Sequence, residues 1–297
     1  MRFSLDAEFL VKADAKGREA MRSHLISKHP EVRETLVARS ILSRPIEAYL
    51  LGSGKRYITL FAAHHALESI TTNFLFIFMD YLMSKSQNGS INGIDCKLLL
   101  SKFCFFVVPC VNPDGVELRF NGMDDNPLSE RLMRMSGGNF SRWQANARGV
   151  DLNHNYDFRF AEYKLLSAER GIDAGETLYC GEYPESEPET GGVANAVRTL
   201  MPFALISLHT QGEEIYAYPN VPRVQRTASR LSAMTGYTVA TADGTACYGG
   251  LSDYAAAIGI PSFTFELGRG VNPLEESCLG AIFGRAADAI AILPTLL

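Results

Sequence analysis

The sequence predicts an α/β protein, a sandwich of helices around a largely parallel sheet. Short β-branched and aromatic runs at 57–63, 103–108, 203–208 and 261–267 have the length and composition of buried strands. Helix-compatible runs separate them, and strands alternating with helices build parallel sheets through crossover connections. No internal repeat, low-complexity tract or linker interrupts the 297 residues, so a single domain spanning 1–297 is expected.

Taken in order, residues 14–28 are polar and helix-prone and stop before Pro30. Segments 34–40 and 46–51 flank Ser43-Arg44-Pro45, which predicts a hairpin. Residues 1–44 are thus expected to add a helix and a first strand to the same domain. Gly52-Ser53-Gly54-Lys55 turns the chain into the strand at 57–63, and the stretch from about 66 to 86 lacks Gly and Pro and predicts a helix. Asn88-Gly89 and Asn92-Gly93 mark a loop. Pro109 ends the strand at 103–108, and Asn112-Pro113-Asp114-Gly115 predicts a tight turn. From Gly122 to about Gly192 the chain is loop-rich, and so long a stretch in a compact domain is usually functional. Beyond it come a helix near 190–200, a strand ending at His209, a strand at 214–218 and a helix at 222–235. A short helix at 253–258, the strand at 261–267 and a closing helix at 274–293 complete the chain.

Composition bounds the function. Hydrophobic residues at 46% and charged residues at 21% suit a soluble globular protein that buries a sizeable core. A net charge of −5 argues against nucleic acid or an anionic membrane as the main partner. The first residues carry early acids and no apolar h-region, which points to a cytoplasmic protein. The most apolar run, 74–83, contains Asp80 and is shorter than the ~20 residues a membrane span needs. Six scattered cysteines without a CxxC pair predict reduced thiols. None of these features sets the oligomeric state.

Function in open α/β sheets collects at the carboxyl ends of strands. Three buried strands end near His65, His209 and Glu266, where ionisable groups need a reason to be. His65 and Glu68 stand three residues apart at a strand-to-helix corner, and zinc takes His nitrogen and carboxylate oxygen, commonly through three protein ligands. His64 is the decoy, because neighbours on an extended backbone point to opposite sides. Each residue alone also has a structural explanation: a hydrogen-bonded strand-end His, or a solvated helix-face Glu. The ordered set His-x-x-Glu, a distant His and a later Glu is what points to a metal centre.

Five ordered segments resemble the zinc carboxypeptidase family: His65-Ala66-Leu67-Glu68; Pro109 through Gly115; Trp143 through Asn155; Leu208-His209; and Phe263 through Leu267. The resemblance covers roughly residues 45–290. It implies one zinc held by His65, Glu68 and His209, Glu266 as general base, and a three-layer α/β/α sandwich with a mixed, mostly parallel sheet of about eight strands. More narrowly, His64-His65, Arg148 through Tyr156 and His209 through Tyr216 are similar to the bacterial γ-D-glutamyl-diamino acid peptidases, which cut peptidoglycan stem peptides. A peptide or muropeptide substrate is therefore expected.

The matches also contain departures. The family's oxyanion-stabilising Arg, nine residues before Asn153, is Gln144 here, and a neutral amide lacks charge assistance. Arg142 or Arg148 is left to compensate, with Arg148 preferred. The Asn-Arg pair that grips a terminal carboxylate is Asn153-His154, which removes the bidentate clamp and favours a bond not adjoining a free C-terminus. The family's mobile Tyr falls at Thr245, with Tyr248 close by. Asp151 is a candidate to orient a ligating imidazole or, equally, a turn residue. Leu251, Ser252 and Asp253 are candidates for the specificity pocket, where an acid would accept the amine of a diamino acid; Glu213 or Glu214 is the other choice. Two further functions fit the same residues, a zinc amidohydrolase removing acyl groups and a catalytically weak binder of cell-wall peptides.

Overall fold

The computed structural model describes residues 5–123, 126–241 and 248–297. In chain order its elements are α1 (Ala15–Lys28), β1 (Arg33–Arg39), β2 (Pro45–Leu51), β3 (Arg56–Ala62), α2 (Ile70–Asn88), β4 (Ser90–Ile91), β5 (Ile94–Asp95), α3 (Cys96–Lys102) and β6 (Phe103–Val108). There follow α4 (Pro113–Asn121), α5 (Ser129–Ser136), α6 (Phe160–Glu169), α7 (Pro188–Leu200), β7 (Ala204–His209), β8 (Glu214–Tyr218), α8 (Pro222–Thr235), β9 (Thr238–Ala240), α9 (Leu251–Ala257), β10 (Ser262–Glu266) and α10 (Leu279–Leu296).

Eight strands form one mixed sheet in the order β1-β2-β6-β3-β7-β10-β8-β9. Strands β6, β3, β7 and β10 run parallel as its centre, and β8 and β9 are parallel to each other. The expected hairpin is the antiparallel β1–β2 pair at one edge.

The central strands read as unbroken apolar runs because both faces are covered. Alternate residues feed two cores, as the twofold side-chain period of a strand requires. Ile58, Leu60, Phe105, Val107, Ile206 and Leu208 pack with α1, α2, α8 and α10. Phe61, Phe106, Val108 and Leu205 pack on the other face with α7 and α9. By length and mean hydropathy of 1.4, Glu276–Leu296 matches a membrane-crossing helix, yet 61% of that window is buried inside the fold. The described cysteines are free thiols; Cys247 lies outside the described residues.

Three expectations are corrected. Asn112-Pro113-Asp114-Gly115 opens α4: Asn112 is the N-cap and accepts from the Gly115 N–H at 2.9 Å, Pro113 takes the first turn, and Asp114 adds negative charge there. Turn residues and helix-start residues are the same types, and the tertiary contacts of Asn112 decide between them. The helix expected from 66 starts later, because a 3-10 turn at Ala66–Glu68 precedes α2. The loop-rich 122–192 stretch carries α5 and α6, and the short α3 and β9 were not anticipated.

Candidate metal centre

Strand β3 ends where Ala63 adopts a left-handed conformation (φ 51°), held by Thr71 Oγ1 on its N–H at 3.1 Å. Such a conformation costs a non-glycine residue of order 1 kcal/mol and re-aims the chain. His64 then turns into the protein, where its Nε2 meets the Tyr156 hydroxyl at 2.8 Å, and His65 turns to the cleft. His209, the last residue of β7, comes in from two strand positions away from the Ser207 side chain on the same face.

His65, Glu68 and His209 offer ligand atoms that all lie within 4.8 Å of one another, the one such group among the described residues. The two imidazoles present their Nδ1 atoms, 3.3 Å apart, and each also faces Glu68: His65 Nδ1 to Oε1 at 3.1 Å and His209 Nδ1 to Oε2 at 3.0 Å. His64 is excluded from the group, in keeping with its inward turn.

The remote nitrogens are held as well. His65 Nε2 contacts Asp151 Oδ1 at 3.1 Å, and His209 Nε2 contacts Ser207 Oγ at 3.2 Å. Asp151 is wholly buried, and its Oδ2 accepts from Gln144 Nε2 at 3.0 Å, the Leu178 N–H at 3.1 Å and Thr177 Oγ1 at 3.2 Å. It also caps the 3-10 turn at Leu152–His154, so both roles considered for it are present.

The electrostatics suit a cation. Burial disfavours a charged His65, but the Glu68 and Asp151 carboxylates more than reverse this and hold its pKa well above the usual histidine range. Burial alone would raise Glu68 and Asp151; the His65 charge and the surrounding donors instead pull both down. Two imidazoles and an ionised carboxylate, each with a hydrogen-bond partner from outside the group, form a donor set that fits zinc.

Glu266 is the last residue of β10, in register with His209 on β7 and with Glu214 on β8. Burial, then the Glu68 charge, with a smaller push from Glu214, moves its carboxyl up to about 8, against the pull of His65. A carboxyl at this strand end, close enough to feel the Glu68 and His65 charges, is the candidate for proton transfer at the metal group.

The other expected residues are distributed around this centre. Asn153 Oδ1 accepts from the Leu251 N–H at 3.2 Å. His154 stacks on Tyr163 with ring centroids 4.3 Å apart and bonds the Tyr248 carbonyl through Nδ1 at 2.7 Å. Gly249 makes this approach possible, since a Cβ there would lie 2.2 Å from the His154 carbonyl oxygen. Ser252 Oγ bonds Thr264 Oγ1 at 2.7 Å, and Asp253 is largely buried in the first turn of α9. Among the described residues the Glu214 side chain accepts only the Tyr216 hydroxyl, at 2.6 Å, whereas Glu213 is paired with Arg269 and Arg285. That contrast selects Glu214 as the acid without a cation among the described residues. Thr245 lies outside the described residues.

Two expectations change in detail. The Gln144 amide gives one of its two N–H donors to Asp151, which leaves a single N–H for any substrate oxygen. Arg148, preferred as the compensating cation, points to Glu187 at 3.6 Å and makes no contact with the metal group; Arg142 instead bonds the Asn272 carbonyl at 3.3 Å. Sequence reasoning also missed Ser207 and Asn272. The spacing of Ser207 two before His209 on a strand was a usable signal, but nothing local marks Asn272.

A His-His-Glu donor set at the carboxyl ends of a mixed α/β sheet defines a zinc-dependent hydrolase. The chain belongs to the zinc carboxypeptidase family, whose model matches residues 19–278, and it is a metallopeptidase using one zinc. It is 33% identical over 270 residues to γ-D-glutamyl-L-diamino acid endopeptidase 1 of Lysinibacillus sphaericus, covering 88% of this chain and 67% of that protein. It is 28% identical over 280 residues to human carboxypeptidase O, covering 88% and 68% respectively. The fold also matches bovine thrombin-activatable fibrinolysis inhibitor, with a TM-score of 0.72, 21% identity and 97% of each chain covered.

Proposed function

We propose that this metallopeptidase hydrolyses the amide between the γ-carboxyl of D-glutamate and a diamino acid such as diaminopimelate in peptidoglycan stem peptides. The supporting observation is the pairing of an uncompensated acid with a missing clamp. Glu214 carries no cation partner among the described residues and suits the free amine of a diamino side chain. The clamp position is His154, stacked on Tyr163 and tied to a carbonyl, with no guanidinium to fork onto a terminal carboxylate. The similarity to the endopeptidase of Lysinibacillus sphaericus supports the same substrate class.

Zinc held by His65, Glu68 and His209 supplies Lewis acidity and a water of lowered pKa. Asp151 and Ser207 hold the remote nitrogens and keep both Nδ1 atoms aimed inward. The Glu266 carboxylate accepts a proton from the attacking water and returns it to the leaving amine. Asn153 Nδ2 has no protein acceptor among the described residues and is available to a substrate carbonyl.

A substrate panel tests the proposal: L-Ala-γ-D-Glu-diaminopimelate with and without a C-terminal D-Ala, a blocked dipeptide with a free carboxylate, and an N-acetyl amino acid. Zinc-dependent cleavage of both γ-glutamyl peptides is expected. Cleavage confined to the blocked dipeptide or to the acyl amino acid would replace it with a carboxypeptidase or a deacylase. Binding of the γ-glutamyl peptides without turnover would make the protein a binder.

A further inference from the structure

Each member of the metal group has a hydrogen-bond partner from outside it, and two of the three are the Asp151 and Ser207 contacts already described. The third belongs to Glu68. Asn272, in the loop after β10, aims Nδ2 at Glu68 Oε1 at 3.4 Å. The distance is long for a hydrogen bond, but the amide is not free to drift. Its Oδ1 accepts from Thr210 Oγ1 at 2.7 Å, and its Nδ2 donates a second hydrogen to the Thr210 carbonyl at 2.7 Å. The reciprocal pair fixes which end of the amide faces the carboxylate, and a donor is what a carboxylate needs.

The clasp joins three pieces of chain. Thr210 directly follows His209, and it is buried. Asn272 follows Glu266 by six residues, and Glu68 lies beyond β3. Arg142 Nη1, from the segment before Trp143, bonds the Asn272 backbone carbonyl at 3.3 Å. The loop carrying Asn272 is therefore tied to the strand end that carries one imidazole and touches the carboxylate that completes the set.

We propose that Asn272, oriented by Thr210, is the positioning residue that holds the Glu68 carboxylate in its metal-ready orientation. The physical reason is rotamer freedom. A glutamate is among the side chains that give up most rotamer entropy when they are ordered. A carboxylate already held loses less of that freedom when the ion arrives. Outer partners of metal ligands typically account for about 10- to 100-fold in metal affinity.

The inference rests on the metal group above and is tested by zinc affinity and thermal stability. Zn2+ is titrated against a chromogenic chelator for the parent, Asn272→Ala and Thr210→Val, and thermal midpoints are taken on the metal-free proteins. Asn272→Ala is expected to weaken Zn2+ binding by about 10- to 100-fold. Thr210→Val, which keeps the shape and removes the orienting hydroxyl, is expected to weaken it in the same direction by less. The metal-free midpoints should fall only slightly, by what the lost Asn272–Thr210 hydrogen bonds account for, and not in proportion to the loss of affinity, which a merely structural role would not predict. Affinities within about twofold of the parent for both variants, or weakening that tracks a fall in the metal-free midpoint, overturn the inference. A parent that binds no Zn2+ overturns the metal centre itself, so the two failures are distinguishable.

Discussion

Replacing Glu189 by glutamine should stabilise the protein in mild alkali and leave it nearly unchanged in acid. Glu189 is fully buried in the first turn of α7; Oε1 accepts the Ile41 N–H at 3.2 Å, and Oε2 has no partner. Burial, followed by the nearby Asp114 and Glu187 charges, pushes its carboxyl from 4.5 up to about 8. Below pH 4.5 folded and unfolded chains both carry the proton; between there and about 8 only the folded chain does, so stability falls as pH rises through that window. At about 1.4 kcal/mol per unit, the fall attributable to this group has a ceiling of about 5 kcal/mol. Glutamine keeps the acceptor for Ile41 and resembles the neutral acid, so it removes the pH-dependent loss and little else. Urea unfolding of parent and Glu189→Gln, both metal-free, at pH 5, 6, 7 and 8 isolates the effect as a difference of differences. The variant should gain progressively above pH 5 and level off past 8. A gap between the two proteins that stays constant within about 0.5 kcal/mol across the series refutes the reasoning.

Glu266→Gln should lower kcat by about 10²- to 10⁴-fold on a γ-glutamyl-diaminopimelate peptide, while elemental analysis still finds one zinc per chain; retained turnover removes the general base. Asp151→Asn should cost about 10- to 100-fold in Zn2+ affinity by chelator competition, because the amide no longer balances the His65 imidazole and five donors lose a full charge. Glu214→Gln should raise KM for a diaminopimelate substrate far more than for its amine-free pimelate analogue, and an equal change for both would remove Glu214 from amine recognition. Asp114→Ala strands Arg44, Ser40 and the Leu42 N–H, and should destabilise by about 3–5 kcal/mol in urea unfolding; a loss under about 1 kcal/mol would show that water replaces the carboxylate there.

The order of strands and helices was legible in the sequence because burial on both faces leaves long apolar runs, and because His65, Glu68, His209 and Glu266 stand at the ends of such runs. Even the choice of His65 over His64 followed from residue spacing. Local patterns failed where one motif serves two local structures, as at Asn112-Pro113-Asp114-Gly115, and where an element is too short to show a period, as in α3 and β9. Only the tertiary structure decided which polar side chains are already taken. Gln144 is bound to Asp151, Arg148 faces Glu187, Glu213 is neutralised by two arginines, and Glu214 has no cation partner among the described residues. Those pairings join residues far apart in the chain, and a hydrogen bond or ion pair depends on distance in space, which no linear spacing encodes.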